Sequence, residues 1–309
     1  MHQCNCKENI ERNCTQIAKR FKSDFGNCSL RADACLTTQT PNPSSKSLVS
    51  IASGYYGEIE RLLTTNFEFD TVQVIPFSAG THWVSTPLKV AGRVGTEDRI
   101  CLAKVVTDEG LHTHQDIITN KNARFARNGI VDISFDGSAS AYELLQHEAR
   151  FLKAAKRANI FVPTPLGVFE LTMGAALLME FVSGAPLERV ELTEHNLNAV
   201  FRLVKQLRRH KLVHGDIRRD NFLATIERGM CLIDYLPLTG NIERALDYDL
   251  MSTVSHLSLS VGPTIVLNVA RTHFSTAELK RALPFLNFIT GRLTKRERAQ
   301  ILQTILALP

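Results

Sequence analysis

The sequence predicts an α+β fold built of two lobes, and three observations indicate it. Short β-rich runs occupy Thr71–Val106, a long amphipathic helical pattern covers Ser140–Asn159, and helical patterns dominate from Ala245 to the end of the chain. Strands followed by helices in this order are typical of α+β folds. At 309 residues, of which 44% are hydrophobic and 22% charged, the chain is long enough for one large or two small domains.

Charge and hydropathy limit the class of protein. The formal net charge of +5 is only mildly basic, so nucleic-acid contact is not supported by charge alone. The sequence holds no apolar run of about 18 residues, and its N-terminus is polar, so neither a membrane span nor a secretory signal is predicted. A cytoplasmic location is expected by default.

Residues 1–50 are predicted to form a cysteine-rich leader and linker that is poorly ordered. Five of the seven cysteines lie here, separated by one, seven, thirteen and six residues: Cys4, Cys6, Cys14, Cys28 and Cys35. Zinc sites usually pair their ligands as C-x2-4-C, so reduced thiols are favoured and zinc binding is the alternative. The segment Leu36–Ser50 is rich in Thr, Ser and Pro without an apolar period, which is typical of a linker.

Residues 51–182 are predicted to form the N-lobe, with a preceding helix. Antiparallel strands are indicated by the runs TVQVIPF, WVSTPLKVAGRV and RICLAKVV, the last two separated by the turn-like GTED. The stretch at about 107–139 is expected to be an inserted loop or helix. The strand-like LGVFEL and AALLMEFV complete this lobe, and residues 183–309 are predicted to form a mostly helical C-lobe.

The helix of the N-lobe carries a carboxylate on its apolar face. At about 100° per residue, Glu148 falls in the middle of the arc formed by the apolar positions 144, 145, 151, 152 and 155, whereas Glu143 projects from the polar side. A buried carboxylate is costly unless it finds a partner. We therefore expect Glu148 to be paired; a glutamate that only reaches solvent along the helix surface is the alternative.

The stretch LVHGDIRRDNFL, Leu212–Leu223, crowds charges between apolar flanks that place it between a helix and a strand. Asp216 and Asn221 lie five residues apart, and Asp234 in CLIDYL follows eighteen residues after Asp216. Phosphoryl transfer needs a carboxylate that accepts the hydrogen bond of a hydroxyl, and oxygen ligands for magnesium. Asp216 suits the first role, and Asn221 and Asp234 suit the second; alternatively, the turn only caps its neighbouring elements.

The spacing of His214, Asp216, Asn221 and Asp234 resembles the catalytic core of protein kinases, an H-x-D-x4-N loop followed by a metal-binding aspartate. This resemblance implies a bilobal protein-kinase-like fold, with a small antiparallel β N-lobe that contains one helix and a mostly helical C-lobe. It also implies that Arg218 is a basic residue placed against the transferring phosphate.

The same resemblance assigns residues to the nucleotide. The strand ICLAKVV resembles the V-A-I-K strand of kinases, which implies that Lys104 holds the ATP phosphates and pairs with Glu148; an ordinary edge-strand lysine is the alternative. The run LLMEFVSGAPL resembles the hinge between kinase lobes, with Met179 at the back of the pocket and backbone contacts from Glu180 and Val182. Read alone, it is equally consistent with a buried strand that leads to a turn.

Three features depart from the common kinase pattern. Only Gly80, in PFSAGTHWV, remains of the phosphate-cradling G-x-G-x-x-G loop, and a hairpin turn is equally consistent with it. Gly215 stands where most regulated protein kinases have an arginine for the phosphorylated activation loop, and no A-P-E motif occurs. Asp249 follows Asp234 by only fifteen residues and resembles the aspartate that anchors the catalytic loop.

Four segments, in the same order, resemble the RIO-type atypical kinases and the small kinase of the tRNA threonylcarbamoylation complex. They are EARFLKAAKRANIFVPTPLGVFE, LLMEFVSGAPL, LVHGDIRRDNFL and LIDY. Aminoglycoside and lipopolysaccharide-core kinases are more distantly similar. The resemblance covers Val72–Leu259. Within the catalytic stretch, Arg219 and Asp220 are expected to form a solvated pair rather than to act in catalysis.

The resemblance implies a kinase that depends on ATP and on magnesium, with manganese as the alternative metal. It would transfer the γ-phosphate to a hydroxyl, first of all that of a protein Ser or Thr, or hydrolyse ATP as a switch. The alternatives are a small-molecule or sugar kinase, and a pseudokinase that binds without transfer. The expected partners are ATP and an acceptor, protein or small molecule, that the sequence does not identify.

Overall fold

The computed structural model of the chain describes residues 46–76, 84–289 and 293–308. These residues separate into two compact units. The first unit contains the described residues up to Gly110 together with Pro165–Phe181. The second unit contains Leu111–Thr164 and the described residues from Val182 onward. An antiparallel five-stranded sheet lies in the N-terminal part and helices dominate the C-terminal part, so the predicted α+β class is confirmed. Among these residues, no helix has both the length and the apolar character needed to cross a membrane.

The helices and strands follow the predicted order. They are α1 (Lys46–Asn66), β1 (Thr71–Pro76), β2 (Ser85–Val94), β3 (Glu97–Thr107), α2 (Asp108–Arg127), β4 (Ile133–Phe135), α3 (Ala141–Arg157), β5 (Pro165–Leu171), β6 (Gly174–Glu180), β7 (Ala185–Pro186), α4 (Glu194–Arg209), β8 (Phe222–Thr225), β9 (Gly229–Leu232), β10 (Leu238–Gly240), α5 (Ile242–Val261), α6 (Pro263–His273), α7 (Thr276–Ala282), α8 (Leu286–Ile289) and α9 (Lys295–Leu306).

Two predictions near the N-terminus meet different outcomes. Helix α1 begins at Lys46, inside the segment Leu36–Ser50 that we predicted as a linker, so that the linker prediction is wrong at its C-terminal end. The leader with its five clustered cysteines and the glycine of the phosphate loop, Gly80, lie outside the described residues. Their roles therefore stay predictions.

The first unit is a sheet in the order β1-β2-β3-β6-β5, with every neighbouring pair antiparallel. Alternate residues of β3 (Cys101, Ala103 and Val105) are buried in the core that α1 forms with the sheet. Because strand side chains alternate between faces, Lys104 projects from the opposite face. It pairs with Pro87 of β2 on one side and Leu177 of β6 on the other, so it is not an edge-strand lysine.

The second unit is built around α5, most of whose residues are buried, including two aspartates and several serines. Helix α4 buries an apolar face made of Leu197, Val200, Phe201, Leu203, Val204 and Leu207. The stretch at 107–139 is mainly the helix α2, followed by β4, which pairs with β10. The ring of Phe125 from α2 stacks on Phe135 of β4 and on Phe288 of α8, with ring centroids 5.2 Å and 4.0 Å apart.

A polar network joins three helices of this unit. The Lys205 ammonium of α4 lies 3.0 Å from Glu278 Oε1 of α7, and Arg208 of α4 reaches both Glu278 Oε1, at 3.2 Å, and the buried Asp247 of α5, at 2.9 Å. Glu278 also completes a capping box with Ser275 at the start of α7. Burial acts to raise the pKa of Glu278, but Ser275 and Lys205 outweigh it and hold that pKa below its ordinary value.

Replacing Glu278 with glutamine is expected to lower the free energy of unfolding in a pH-dependent manner. Since the folded-state pKa is lowered, the stabilisation is fully present above the ordinary pKa of 4.5 and is lost as the pH falls through the folded-state value. Urea unfolding at pH 7 and in the acid range measures it. Glu297→Gln removes a similar capping box on α9, where Glu297 forms no ion pair among the described residues, and serves as the control. An equal loss in both variants at pH 7 would contradict the ion-pair contribution.

Candidate active site

The backbone of the charged stretch is held by a buried carboxylate. Asp249, in the middle of α5, accepts hydrogen bonds from the backbone N–H of His214 at 2.7 Å and of Gly215 at 2.9 Å. Three residues further along α5, the Ser252 hydroxyl donates to the carbonyl of Ile217 at 2.9 Å. Burial raises the pKa of Asp249 to about 7, although the two backbone bonds act in the opposite direction. The anchoring role predicted for Asp249 is therefore confirmed.

The imidazole of His214 fixes the turn from inside. It is fully buried, its Nδ1 accepts from the backbone N–H of Asp216 at 3.3 Å, and its Nε2 lies 3.0 Å from the carbonyl of Ile233. The ring also meets Phe151 of α3 edge to face. Phe151 in turn stacks on Tyr235, which follows the predicted metal ligand Asp234. The histidine is thus a positioning residue that links the two halves of the charged site.

Gly215 is required by the backbone itself. Its φ is +80°, in the left-handed region, and a Cβ built there would lie 2.0 Å from the carbonyl oxygen of Leu236. The backbone N–H of Leu236 donates to the carbonyl of His214 at 3.0 Å, which holds the two segments together. From the sequence, we noted only that Gly215 stands where regulated kinases have an arginine. The left-handed backbone and the close approach of Leu236 are a structural reason for glycine at this position.

The carboxylate of Asp216 is surrounded by hydrogen-bond donors and cations. Asn221 donates its side-chain amide to the Asp216 carbonyl at 2.7 Å and to Oδ2 at 3.1 Å. Arg218 Nε lies 3.2 Å from the same Oδ2, and Lys121 Nζ lies 3.6 Å from Oδ1. Burial acts to raise the pKa of Asp216, but Lys121, Arg218, His214 and Asn221 outweigh it and hold the pKa below its ordinary value. Asp216 is therefore a carboxylate at neutral pH.

The two predicted metal ligands are brought together through the backbone. The N–H of Ile233, which precedes Asp234, donates to the carbonyl of Asn221 at 2.9 Å, and Asp234 itself has a left-handed φ of 60°. Because the Asn221 amide nitrogen is committed to Asp216, its amide oxygen is the atom suited to a cation. Magnesium in kinases uses one or two protein oxygens together with substrate phosphates, and an amide and a carboxylate oxygen fit that need. In the part of the chain that the structure describes, no group of three or more His, Cys, Asp or Glu forms a metal site by itself.

Residues 112–238 match the family model of the RIO domain. The match extends from α2 to β10 and includes the whole charged stretch. This match supports an atypical RIO-type, protein-kinase-like fold. RIO domains are an atypical kinase family, which supports a kinase that binds ATP and uses a divalent metal. No curated protein sequence matches the chain.

The RIO match begins after β3, so Lys104 lies outside it, whereas Met179 and Glu180 lie inside it. Lys104 lies on β3, while Met179 and Glu180 end β6, where they pair with Leu102 and Cys101 of β3. All three stay predictions as nucleotide contacts, and so does Val182, which belongs to the second unit.

Inside the RIO domain, the choice between two glutamates of α3 is supported by their surroundings. Glu148 is buried, with 4% of its surface exposed, among the apolar residues of α3. Glu143 instead accepts from the backbone N–H of Ala139 at 2.8 Å, at the start of the helix. The pairing of Glu148 with Lys104 stays a prediction.

Two features of the site were not foreseen from the sequence. Asp220 pairs with Arg218, at 3.1 Å, whereas Arg219 donates to the carbonyl of Leu187 at 3.0 Å, so the expected Arg219–Asp220 pair is wrong. Lys121 was missed altogether, because it lies in the stretch that we regarded only as an insertion. A lysine in a polar helix carries no sequence signal that would distinguish it from a solvent-exposed one.

Proposed function

We propose that this RIO-fold protein is a magnesium-dependent phosphotransferase that moves the γ-phosphate of ATP to a hydroxyl group, first of all that of a protein Ser or Thr. The observation that carries the proposal is the Asp216 carboxylate: its pKa is lowered, and Asn221 donates one hydrogen bond to its Oδ2 and another to the backbone carbonyl of Asp216. An ionised carboxylate accepts the hydrogen bond of an acceptor hydroxyl and orients it for attack on phosphorus. Arg218, beside it, is suited to neutralise charge on the transferring phosphate.

The metal site of this proposal consists of Asn221 and Asp234. Bound magnesium neutralises phosphate charge in phosphoryl transfer. Asn221 would hold it through the amide oxygen and Asp234 through its carboxylate, while Asn221 positions Asp216 through the other atom of the same amide. One side chain therefore links the base to the metal, which supports transfer over binding alone.

The nucleotide contacts in this proposal come from residues outside the charged stretch. Lys104 and Glu148 are assigned to the phosphates, and Met179, Glu180 and Val182 to the adenine. The assignment is supported by the position of Lys104 on the central strand of its sheet and by the burial of Glu148 in α3. Manganese in place of magnesium, and ATP hydrolysis as a switch, are compatible with the same residues.

The acceptor is the least constrained part of the proposal. The fourteen residues between Asp234 and Asp249 include β10 and the first turns of α5, which leaves no room there for a long activation or peptide-docking loop. Incubation with labelled ATP and a cell extract, separated into proteins and metabolites, distinguishes a protein acceptor from a small-molecule or sugar acceptor. A cytoplasmic location stays a prediction of the sequence.

The proposed function is tested by ATP turnover with and without magnesium. We expect the wild-type protein to turn over ATP only with the metal, and Asp234→Ala to lose that activity because a carboxylate ligand is removed. The thermal unfolding temperature of the variant, compared with wild type, shows whether the fold is kept. ATP binding without any turnover by the wild type would instead indicate a pseudokinase, and equal turnover by both proteins would contradict the role of Asp234.

A further inference from the structure

Lys121 contacts the carboxylate at the centre of the site from a helix that has no assigned role. Its Nζ lies 3.6 Å from Asp216 Oδ1 and 4.6 Å from the centroid of the Phe135 ring. The lysine side chain is therefore held between a carboxylate and an aromatic face, both of which attract an ammonium group. A quarter of its side chain is exposed, so the ammonium group stays within reach of a ligand from solvent.

Two neighbours of Lys121 on α2 fix the helix by side-chain contacts. The next residue, Asn122, donates its side-chain amide to the carbonyl of Phe135 at 2.9 Å and accepts from the backbone N–H of Phe135 at 2.8 Å. Arg124 donates to the carbonyl of Phe288, and its guanidinium lies 4.9 Å from the centroid of that ring. Lys121 therefore approaches Asp216 from a well-packed helix, so little conformational freedom is lost when it binds a ligand.

The two oxygens of Asp216 are used differently. Oδ2 is engaged by the Asn221 amide and by Arg218, whereas Oδ1 faces Lys121. An acceptor hydroxyl that hydrogen-bonds to Oδ1 of Asp216 therefore lies next to the Lys121 ammonium group. When the hydroxyl transfers its proton to Asp216, the negative charge that faces the lysine is neutralised, and the phosphoryl group that approaches the hydroxyl supplies a new anion.

A purely structural role explains the contact less well. The side chains of Lys121 and Asp216 are 25% and 22% exposed, so the pair is partly solvated. Partly exposed ion pairs typically contribute little to stability. A cation placed beside the catalytic carboxylate, by contrast, lies where negative charge develops during transfer, and such preorganised charges give the largest catalytic effects.

We propose that Lys121 is a further catalytic residue, which contacts a non-bridging oxygen of the γ-phosphoryl group during its transfer to the hydroxyl. This inference rests on the proposed function. In the step, the hydroxyl oxygen forms a bond to the γ-phosphorus, the bond between that phosphorus and the β,γ-bridging oxygen breaks, and ADP leaves. The proton of the hydroxyl passes to Asp216. Lys121 stays protonated throughout and only exchanges one anionic oxygen for another.

The test is steady-state ATP turnover by Lys121→Met, which keeps the apolar stem and removes the charge. We expect kcat to fall by about 10²–10³-fold, the range for loss of one preorganised donor, with little change in the KM for ATP. Lys121→Arg should restore part of the loss because it returns the charge. The control is Arg127→Met, which removes a cation from an exposed position on the same helix, and which should behave as the wild type.

The split between kcat and KM separates catalysis from packing. Removal of a lysine that contacts the transferring group lowers kcat and leaves the KM for ATP nearly unchanged, and Lys121→Arg restores part of the lost kcat. A merely structural lysine would change the thermal unfolding temperature without this split. If Lys121→Met unfolds, Lys121→Gln, which keeps a polar tip, takes its place in the same assay.

Two results would overturn the inference while the proposed function stands. If wild-type turnover depends on magnesium and on Asp234 but Lys121→Met keeps the wild-type kcat, then Lys121 does not contact the transferring group. If the variant turns over ATP faster than wild type, the lysine blocks Asp216 and has to be removed for catalysis. Failure of the proposed function is recognised separately, by the absence of metal-dependent turnover in the wild type.

Discussion

Replacing Asp216 with asparagine is expected to reduce magnesium-dependent ATP turnover by about 10²–10⁴-fold, the range typical of a lost general base. Asparagine has nearly the same shape, and the hydrogen bond from Asn221 to the carbonyl of residue 216, 2.7 Å in the wild type, does not depend on the carboxylate. The loop should therefore keep its conformation. What the variant loses is the negative charge that orients the hydroxyl and takes its proton, which is the contribution that kcat measures.

The neighbouring carboxylate offers a matched control for Asp216. Asp220 also pairs with Arg218, at 3.1 Å, but the side-chain amide of Asn221 donates to Asp216. Asp220→Asn should therefore keep most of the turnover, whereas Asp216→Asn should lose it. Equal losses in both variants would show that turnover depends on negative charge beside Arg218 in general. The assignment of Asp216 as the group that accepts the proton would then fail. Circular dichroism and thermal unfolding of each variant check that the fold is intact.

Replacing Gly215 with alanine is expected to destabilise the protein by roughly 2–5 kcal/mol, from the combined cost of a left-handed backbone and of overpacking. The backbone φ of +80° is strained for any residue with a Cβ, and the added methyl would lie 2.0 Å from the carbonyl oxygen of Leu236. Either the charged stretch or the segment after Asp234 has to move. Because Asp216 follows directly, turnover should fall together with stability.

A comparison with Gly229 separates the cost of the left-handed backbone from the cost of the clash with Leu236. It has the same φ of +80°, but nothing lies within 4 Å of the Cβ that alanine would add. Gly229→Ala should therefore cost only the backbone part, about 1–2 kcal/mol. Urea unfolding of both variants gives the difference, which measures the clash with Leu236. If the two variants were equally stable, the close approach would be relieved by small shifts and would not constrain the loop.

Much of the candidate site could be predicted from the sequence, because its parts are local. Asp216 and Asn221 lie on one turn, so their spacing alone indicates that they meet, and the period of α3 identified Glu148 as the buried glutamate. Asp234 lies two residues after the end of β9, in a stretch whose pattern is strand-like. These inferences depend on residues that lie close together in the sequence, and such residues can be recognised from a local sequence pattern.

The features that were missed depend on residues far apart in the chain. Lys121 reaches Asp216 only because β4, β10 and the aromatic rings place α2 beside the loop, and none of these contacts has a local signature. The need for glycine at position 215 depends on the backbone of Leu236. The end of the linker was misjudged at Lys46 because Ser and Lys, which are common in linkers, are equally compatible with the first turn of a helix.

The packing of Phe125 against Phe288 has a consequence for how the protein is made. Domains tend to fold from the N-terminus as the chain is synthesised, yet α2 is completed by a ring from α8, which lies close to the C-terminus. An unfinished chain lacks that ring and cannot pack α2 as the complete protein does. The contact between Lys121 and Asp216 thus forms late in synthesis, so a truncated product would carry every residue of the charged stretch and still lack its finished arrangement.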